Sequence, residues 1–199
     1  MKMHAYALES RERIYVPLFL AAASILAAFG LHTLVDALKT APPWWLDAPS
    51  VVGFYELFHW SYDKRLWKNI VLRRLRLANT PDLNGNWKGY LTSSYEKNAV
   101  KHDVVAKITQ TWTKLAVVVN TPTSKSRSVV AALSIEESGG AILSYEYINE
   151  PQGSAKPTME MHRGFASLSV SEKAQTLNGD YFNGRGRQTF GIVHLQRNS

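Results

Sequence analysis

The sequence predicts a membrane-anchored all-β protein, in which an N-terminal two-helix transmembrane hairpin precedes an eight-stranded antiparallel up-and-down β-barrel. Three observations carry this. Ile14 to Val35 runs without an Asp, Glu, Lys or Arg. A second, aromatic-rich segment, Trp44 to Tyr62, ends in a cluster of cations. From about Leu83 the chain breaks into short alternating runs separated by turn residues, the period-two texture of antiparallel strands. The expected boundary puts the hairpin and its basic flanks in residues 1–78 and the barrel in 79–199.

At about 1.5 Å of rise per residue, the first apolar run is long enough for a hydrocarbon core of about 30 Å. It is too long for the core of a cleaved signal peptide and is followed by Pro42-Pro43-Trp44-Trp45 in place of a small-residue cleavage site. A buried soluble helix would show a polar face, which this run lacks. The second segment carries Asp47 and Glu56, and its flanks argue for it: Asp47 or Ser50 can cap a helix start, while Trp44, Trp45, Tyr62 and Trp67 suit the two membrane interfaces. Glu56 is costly in lipid, with His59 one turn along and His32 in the first helix as a cross-hairpin partner; the alternative is a carboxyl that snorkels to the headgroups. Lys2, Arg11 and Arg13 precede the first helix, and Lys64, Arg65, Lys68, Arg73, Arg74 and Arg76 follow the second, so both termini are expected in the cytoplasm. A basic amphipathic helix lying flat over 50–76 would also leave the C-terminal domain there.

The expected strands are Asn86 to Tyr95, Val104 to Trp112, Lys114 to Thr121, Ser128 to Ile135, Ala141 to Asn149, Thr158 to Val170, Thr176 to Phe182 and Arg187 to Gln196. Eight meandering strands with short connections favour a barrel whose interior holds side chains or one small ligand, with a two-sheet sandwich as the other architecture. The repeated Leu-Asn-Gly-x-aromatic element at Leu83 and Leu177 reads as convergent turn chemistry, and Trp87 as a plug at the barrel base. The chain has no cysteine, which excludes disulfides and thiolate sites and fits a reducing compartment, and its net charge is +7.

Catalysis finds little support. There is no G-x-S-x-G, no H-E-x-x-H and no phosphate-cradling glycine loop, and the six histidines are scattered without ligand spacing. His162 and His194 read as strand-surface or packing residues, and Glu136 and Glu137 as solvated turn residues. Binding is better supported, because polar side chains interrupt the alternation at Lys107, Thr109, Thr111, Tyr145, Tyr147, Arg163, Tyr181, Asn183 and Arg187. Facing into one barrel end, these would offer aromatic planes for bases, hydroxyl and amide edges, and forked donors for phosphate, the kit for a small anionic nucleotide. Facing outward, they would be solvated strand residues, and composition alone does not choose the face. Within "GDYFNGRGRQTFGIVHLQR", Arg185 falls at a turn, Arg197 at the far end, and Arg187 where it can reach a barrel mouth.

"DAPSVVGFYELFHWSYDKRLWK", "LNGNWKGYL" and "GDYFNGRGRQTFGIVHLQR" together resemble the two-transmembrane β-barrel effectors of bacterial CBASS antiphage defence, and the resemblance covers nearly the whole chain. It implies a non-enzymatic protein without a cofactor, whose cytoplasmic barrel binds a cyclic dinucleotide made by a cognate synthase. It further implies homo-oligomers that disrupt the inner membrane and kill the infected cell, with no DNA or RNA polymer as partner. On it, Thr109, Tyr181, Asn183 and Arg187 become the foremost nucleotide contacts. The competing readings are a membrane-tethered lipocalin-like carrier of an apolar ligand and a membrane scaffold whose barrel docks a protein.

Overall fold

The computed structural model describes residues 2–37, 47–74, 78–136, 140–153, 160–184 and 188–198. The Pro42-Pro43 connector with Trp44 and Trp45, together with Arg76, Glu137, Thr158, Arg185 and Arg187, lies outside the described residues. The chain divides into two compact units, Ser10–Asn79 and a second made of Met1–Glu9 with Thr80–Ser199.

The first unit is helical. Helix α1 spans Glu12–Ala37 and is the one helix among the described residues long and apolar enough to cross a membrane. Val16, Leu20 and Ser24, each four apart, form its buried stripe, while Leu18, Phe19, Ile25, Leu26 and Phe29 stay exposed. The Glu12 carboxylate, buried, accepts from the backbone N–H of Asn79 at 2.6 Å and so ties the start of α1 to the end of the unit. Helix α2, Asp47–Lys64, packs against α1 and interleaves polar residues with aromatic ones, with Phe54 stacked on Phe58 and Tyr55 on His59. His32 meets Asp36 at 3.3 Å, one turn along its own helix. A 3-10 turn at Leu66–Lys68 buries Trp67, and a short α3 follows at Ile70–Arg74.

The second unit is the barrel. Its strands are β3 (Gly85–Leu91), β4 (His102–Gln110), β5 (Lys114–Asn120), β6 (Ser124–Ile135), β7 (Ala141–Pro151), β8 (His162–Val170), β9 (Thr176–Asn183) and β10 (Phe190–Arg197). Each pairs antiparallel with the next; β10 returns to β3 and β5 pairs with β6, which closes the eight strands into an up-and-down barrel. The interior is apolar because alternate residues meet there: Val104, Ala106 and Ile108 on β4, Leu115 and Val117 on β5, Leu143 on β7, Leu168 on β8, Leu195 on β10. Leu83 and Leu177 of the two Leu-Asn-Gly elements are both fully buried.

The fourth strand starts at Ser124, earlier than the alternation suggested, because the connection is only Thr121 to Thr123. Two short strands were not expected at all. β1 (His4–Ala5) pairs antiparallel with Lys114 and Leu115 of β5, and β2 (Ala7–Glu9) pairs parallel with Ala132 to Ser134 of β6. They fill a seam, because β5 and β6 pair directly only from Val118 to Asn120 and diverge beyond a bulge between Ser128 and Val130. At the fork, the Val117 N–H donates to Ser128 Oγ (2.9 Å), which also meets His4 Nε2 at 2.7 Å. The segment Met1–Glu9 therefore groups with the barrel strands, and the chain passes from the helical unit to the remaining strands between Asn79 and Thr80.

Candidate ligand-binding site

The two barrel ends differ in kind. At one, Trp87 is fully buried, donates its indole N–H to the Leu83 carbonyl at 3.1 Å, and lies 5.1 Å from the Arg197 guanidinium. Arg197 donates to the Asp82 and Asn84 carbonyls, and Gln110 Oε1 accepts from the Leu83 N–H at 2.8 Å, so this end is sealed by a network as well as by a ring.

The opposite end holds a cavity of about 420 Å³. Tyr145, Tyr147 and Asn149 of β7 line it, with Tyr181 and Asn183 of β9, Ser124 and Ser126 of β6, His102 of β4 and His162 of β8. The short turn at Ser94–Glu96 brings Tyr95 to the rim, 79% exposed, with Glu96 Oε2 in a 2.5 Å contact with His102 Nε2. A chain of donors runs along the open end: Tyr147 OH donates to Asn183 Oδ1 (2.8 Å), and Asn183 Nδ2 donates to Thr189 Oγ1 (2.7 Å). Tyr181 OH donates to the Thr92 carbonyl at 3.0 Å. Gly164 of β8 makes room for this network, since a Cβ there would overlap the Tyr147 ring.

Burial pushes the Tyr147 hydroxyl well above its usual pKa, helped by the neighbouring Tyr145 and Tyr181, and burial alone does the same for Tyr145. Both rings stay neutral across the physiological range and present O–H groups as donor and acceptor. Three tyrosine rings, two amides and a ring of hydroxyls can hold a polar ligand with planar groups. Among the described residues no group of three His, Asp or Glu side chains is placed to hold a metal ion.

The structure brings together four of the sequence-derived candidates: Tyr145, Tyr147, Tyr181 and Asn183. It sets four others elsewhere. Lys107 is exposed and Thr109 half-buried on the outer face of β4, because Val104, Ala106 and Ile108 take the interior. Thr111 is buried at the sealed end, where its Oγ1 accepts from the Lys114 N–H at 3.0 Å in the β4–β5 turn. Arg163 is exposed on the outside of β8, where it meets Glu146 at 3.2 Å. Arg187 lies outside the described residues. Sequence reasoning passed over Ser124, Ser126, Asn149, His102 and His162. The signal for the serines was in "SKSRS", where Ser124, Ser126 and Ser128 turn inward while Lys125 and Arg127 turn out, but the strand was expected to start only at Ser128, with Ser124 and Ser126 in the turn before it.

An up-and-down barrel with one sealed end and one polar, aromatic end, on a chain with an apolar N-terminal helix, is a membrane-associated small-ligand receptor in class. The family model described as "Cap15, cyclic dinucleotide receptor domain" matches residues 78–197, and "Cap15, TM helices" matches residues 15–68. The CD-NTase-associated protein 15 of Yersinia aleksiciae is 30% identical over 210 residues, covering 99% of this chain and 98% of that protein. That of Staphylococcus schleiferi is 28% identical over 155 residues, 77% of this chain and 80% of its own. The chain belongs to the Cap15 family of CBASS-associated effectors, which join a cyclic dinucleotide receptor domain to a membrane region.

Proposed function

We propose that the cavity binds a cyclic dinucleotide made by a cognate synthase, and that binding drives self-association and disruption of the bacterial inner membrane. The observation that carries this reading is the convergence of Tyr145, Tyr147, Tyr181 and Asn183 at the open end of a barrel matched by a cyclic dinucleotide receptor family. The rings supply stacking surfaces for bases, and the hydroxyl and amide groups supply edges for their hydrogen bonds. Helices α1 and α2 act as a two-span hairpin with both termini and the barrel on the cytoplasmic side, where the basic flanks hold them. The protein acts by binding and assembly, not by catalysis. The tyrosine hydroxyls and amides in the cavity favour this over carriage of an apolar ligand.

The test is calorimetric titration of the full-length protein with a panel of cyclic dinucleotides covering purine and pyrimidine bases. One member should bind. Asn183→Ala and Tyr147→Phe should each weaken it about tenfold, the scale of a lost buried hydrogen bond, and Lys107→Ala should leave it within about twofold. Binding unaffected by both cavity variants, or no binding across the panel, refutes the reading.

A further inference from the structure

The outer face of the strands that line the cavity carries a feature the ligand site does not use. Cα partners follow one another across the sheet from Val130 on β6 to Glu146 on β7, Phe165 on β8, Phe182 on β9 and Phe190 on β10. The inward neighbours in this row are Ala131, Tyr145, Ala166 and Tyr181, so its members share the outside of the barrel. Val130, Phe182 and Phe190 are 56 to 60% exposed, Ile192 on β10 extends the patch, and the Phe165 and Phe182 rings meet at 5.6 Å. Clustered exposed aromatics of this kind mark an interaction surface.

Charge selects the occupant. Within the row, Arg163 Nη1 donates to Glu146 Oε1 at 3.2 Å, and Asp180 lies opposite Ile192, so among the described residues the patch carries one cation beside two anions. An anionic leaflet would favour cations alone, whereas here Arg163 is matched by Glu146 and Asp180 adds a further negative charge. A copy of the same patch turned about a two-fold axis is complementary to it, because in an isologous contact each Arg163 can face the other copy's Glu146 while the phenylalanines pack between them. We propose that this face of β6 to β10 is where a second copy of the chain docks. On the ligand-gated reading above, the device is also placed to sense the cavity: Glu146 sits between Tyr145 and Tyr147, and Phe182 between Tyr181 and Asn183, so inward and outward residues alternate on the same two strands.

The experiment uses full-length protein in nanodiscs, with association read by crosslinking, cyclic dinucleotide binding by calorimetry, and folding by thermal melting. Phe190→Asp should weaken self-association at least tenfold, with ligand affinity within about twofold and the melt unchanged. Glu146→Arg and Arg163→Glu should each fail to self-associate alone, and an equimolar mixture of the two should recover mixed complexes. Wild-type association by Phe190→Asp, or no recovery on mixing, overturns the proposal. So does slowed hydrogen exchange over 163–192 in discs holding a single copy, which would mean that the face meets lipid. If no cyclic dinucleotide binds but the mixture recovers, the ligand reading falls and this one stands.

Discussion

At the scale of single residues, the two barrel ends are decided by what each aromatic ring does with its polar atom. Trp87 spends its N–H on the Leu83 carbonyl and its ring on the core, so it seals. Trp87→Ala should cost about 3–5 kcal/mol, read as a lower midpoint in thermal or denaturant unfolding of the detergent-solubilised protein. Tyr145 and Tyr147 keep their hydroxyls at the cavity, and burial raises both pKa values from 10.0. For an acid held neutral by the fold, the stability is fully present below the unfolded pKa and is lost as pH rises toward the folded one. The barrel should therefore be insensitive to pH through neutrality on their account and lose about 1.4 kcal/mol per group for each pH unit above about 10. Unfolding followed against pH should show a shallower alkaline decline in Tyr145→Phe and Tyr147→Phe than in the parent.

At the scale of elements, the N-terminal strands are the least expected and the most testable. β1 and β2 occupy the seam where β5 and β6 diverge, and Tyr6 between them is buried in the core. Deleting residues 2–9 would leave the Leu115 and Leu133 edges unpaired, a row of backbone groups that must then find water. Amide exchange should rise at Leu115 and at 132–134 and stay slow at 118–120, where β5 and β6 pair directly. Tyr6→Ala should cost about 3 kcal/mol through its lost core volume. Uniform exchange along β5 after the deletion would show that the strands merely decorate the barrel.

At the scale of the whole molecule, β2 ends at Glu9 and α1 begins at Glu12, so the segment that completes the barrel wall runs covalently into the apolar helix. The barrel is thus joined to the helical unit twice along the chain, once through residues 10 and 11 and once through the stretch before Thr80. A barrel expressed from residue 79 onward lacks both short strands. Its stability should fall below that of the full chain, by an amount that adding a peptide of residues 2–11 partly restores in a melting experiment.

Much of this was legible in the amino-acid order because it depends on local periodicity. The charge-free run from Ile14 to Val35 required a helix, and the alternation in "VVAKIT" or "ILSYEY" pointed to strands whose number and short turns favoured a barrel over a two-sheet sandwich. Trp87 as a plug was legible for the same reason, since a large ring inside the first strand has to be buried. Side-chain alternation shows that a strand has two faces but not which one is inside when both carry apolar atoms. Lys107 and Thr109 went outward because Val104, Ala106 and Ile108 could fill the interior, whereas Tyr145 and Tyr147 went inward although Ile142 and Ile148 were available for the same role. Tertiary structure alone decided that choice, the N-terminal strands in the β5–β6 seam, and the meeting of β6, β7 and β9 side chains around one cavity. Each depends on partners far apart in the chain, whose packing no local pattern records.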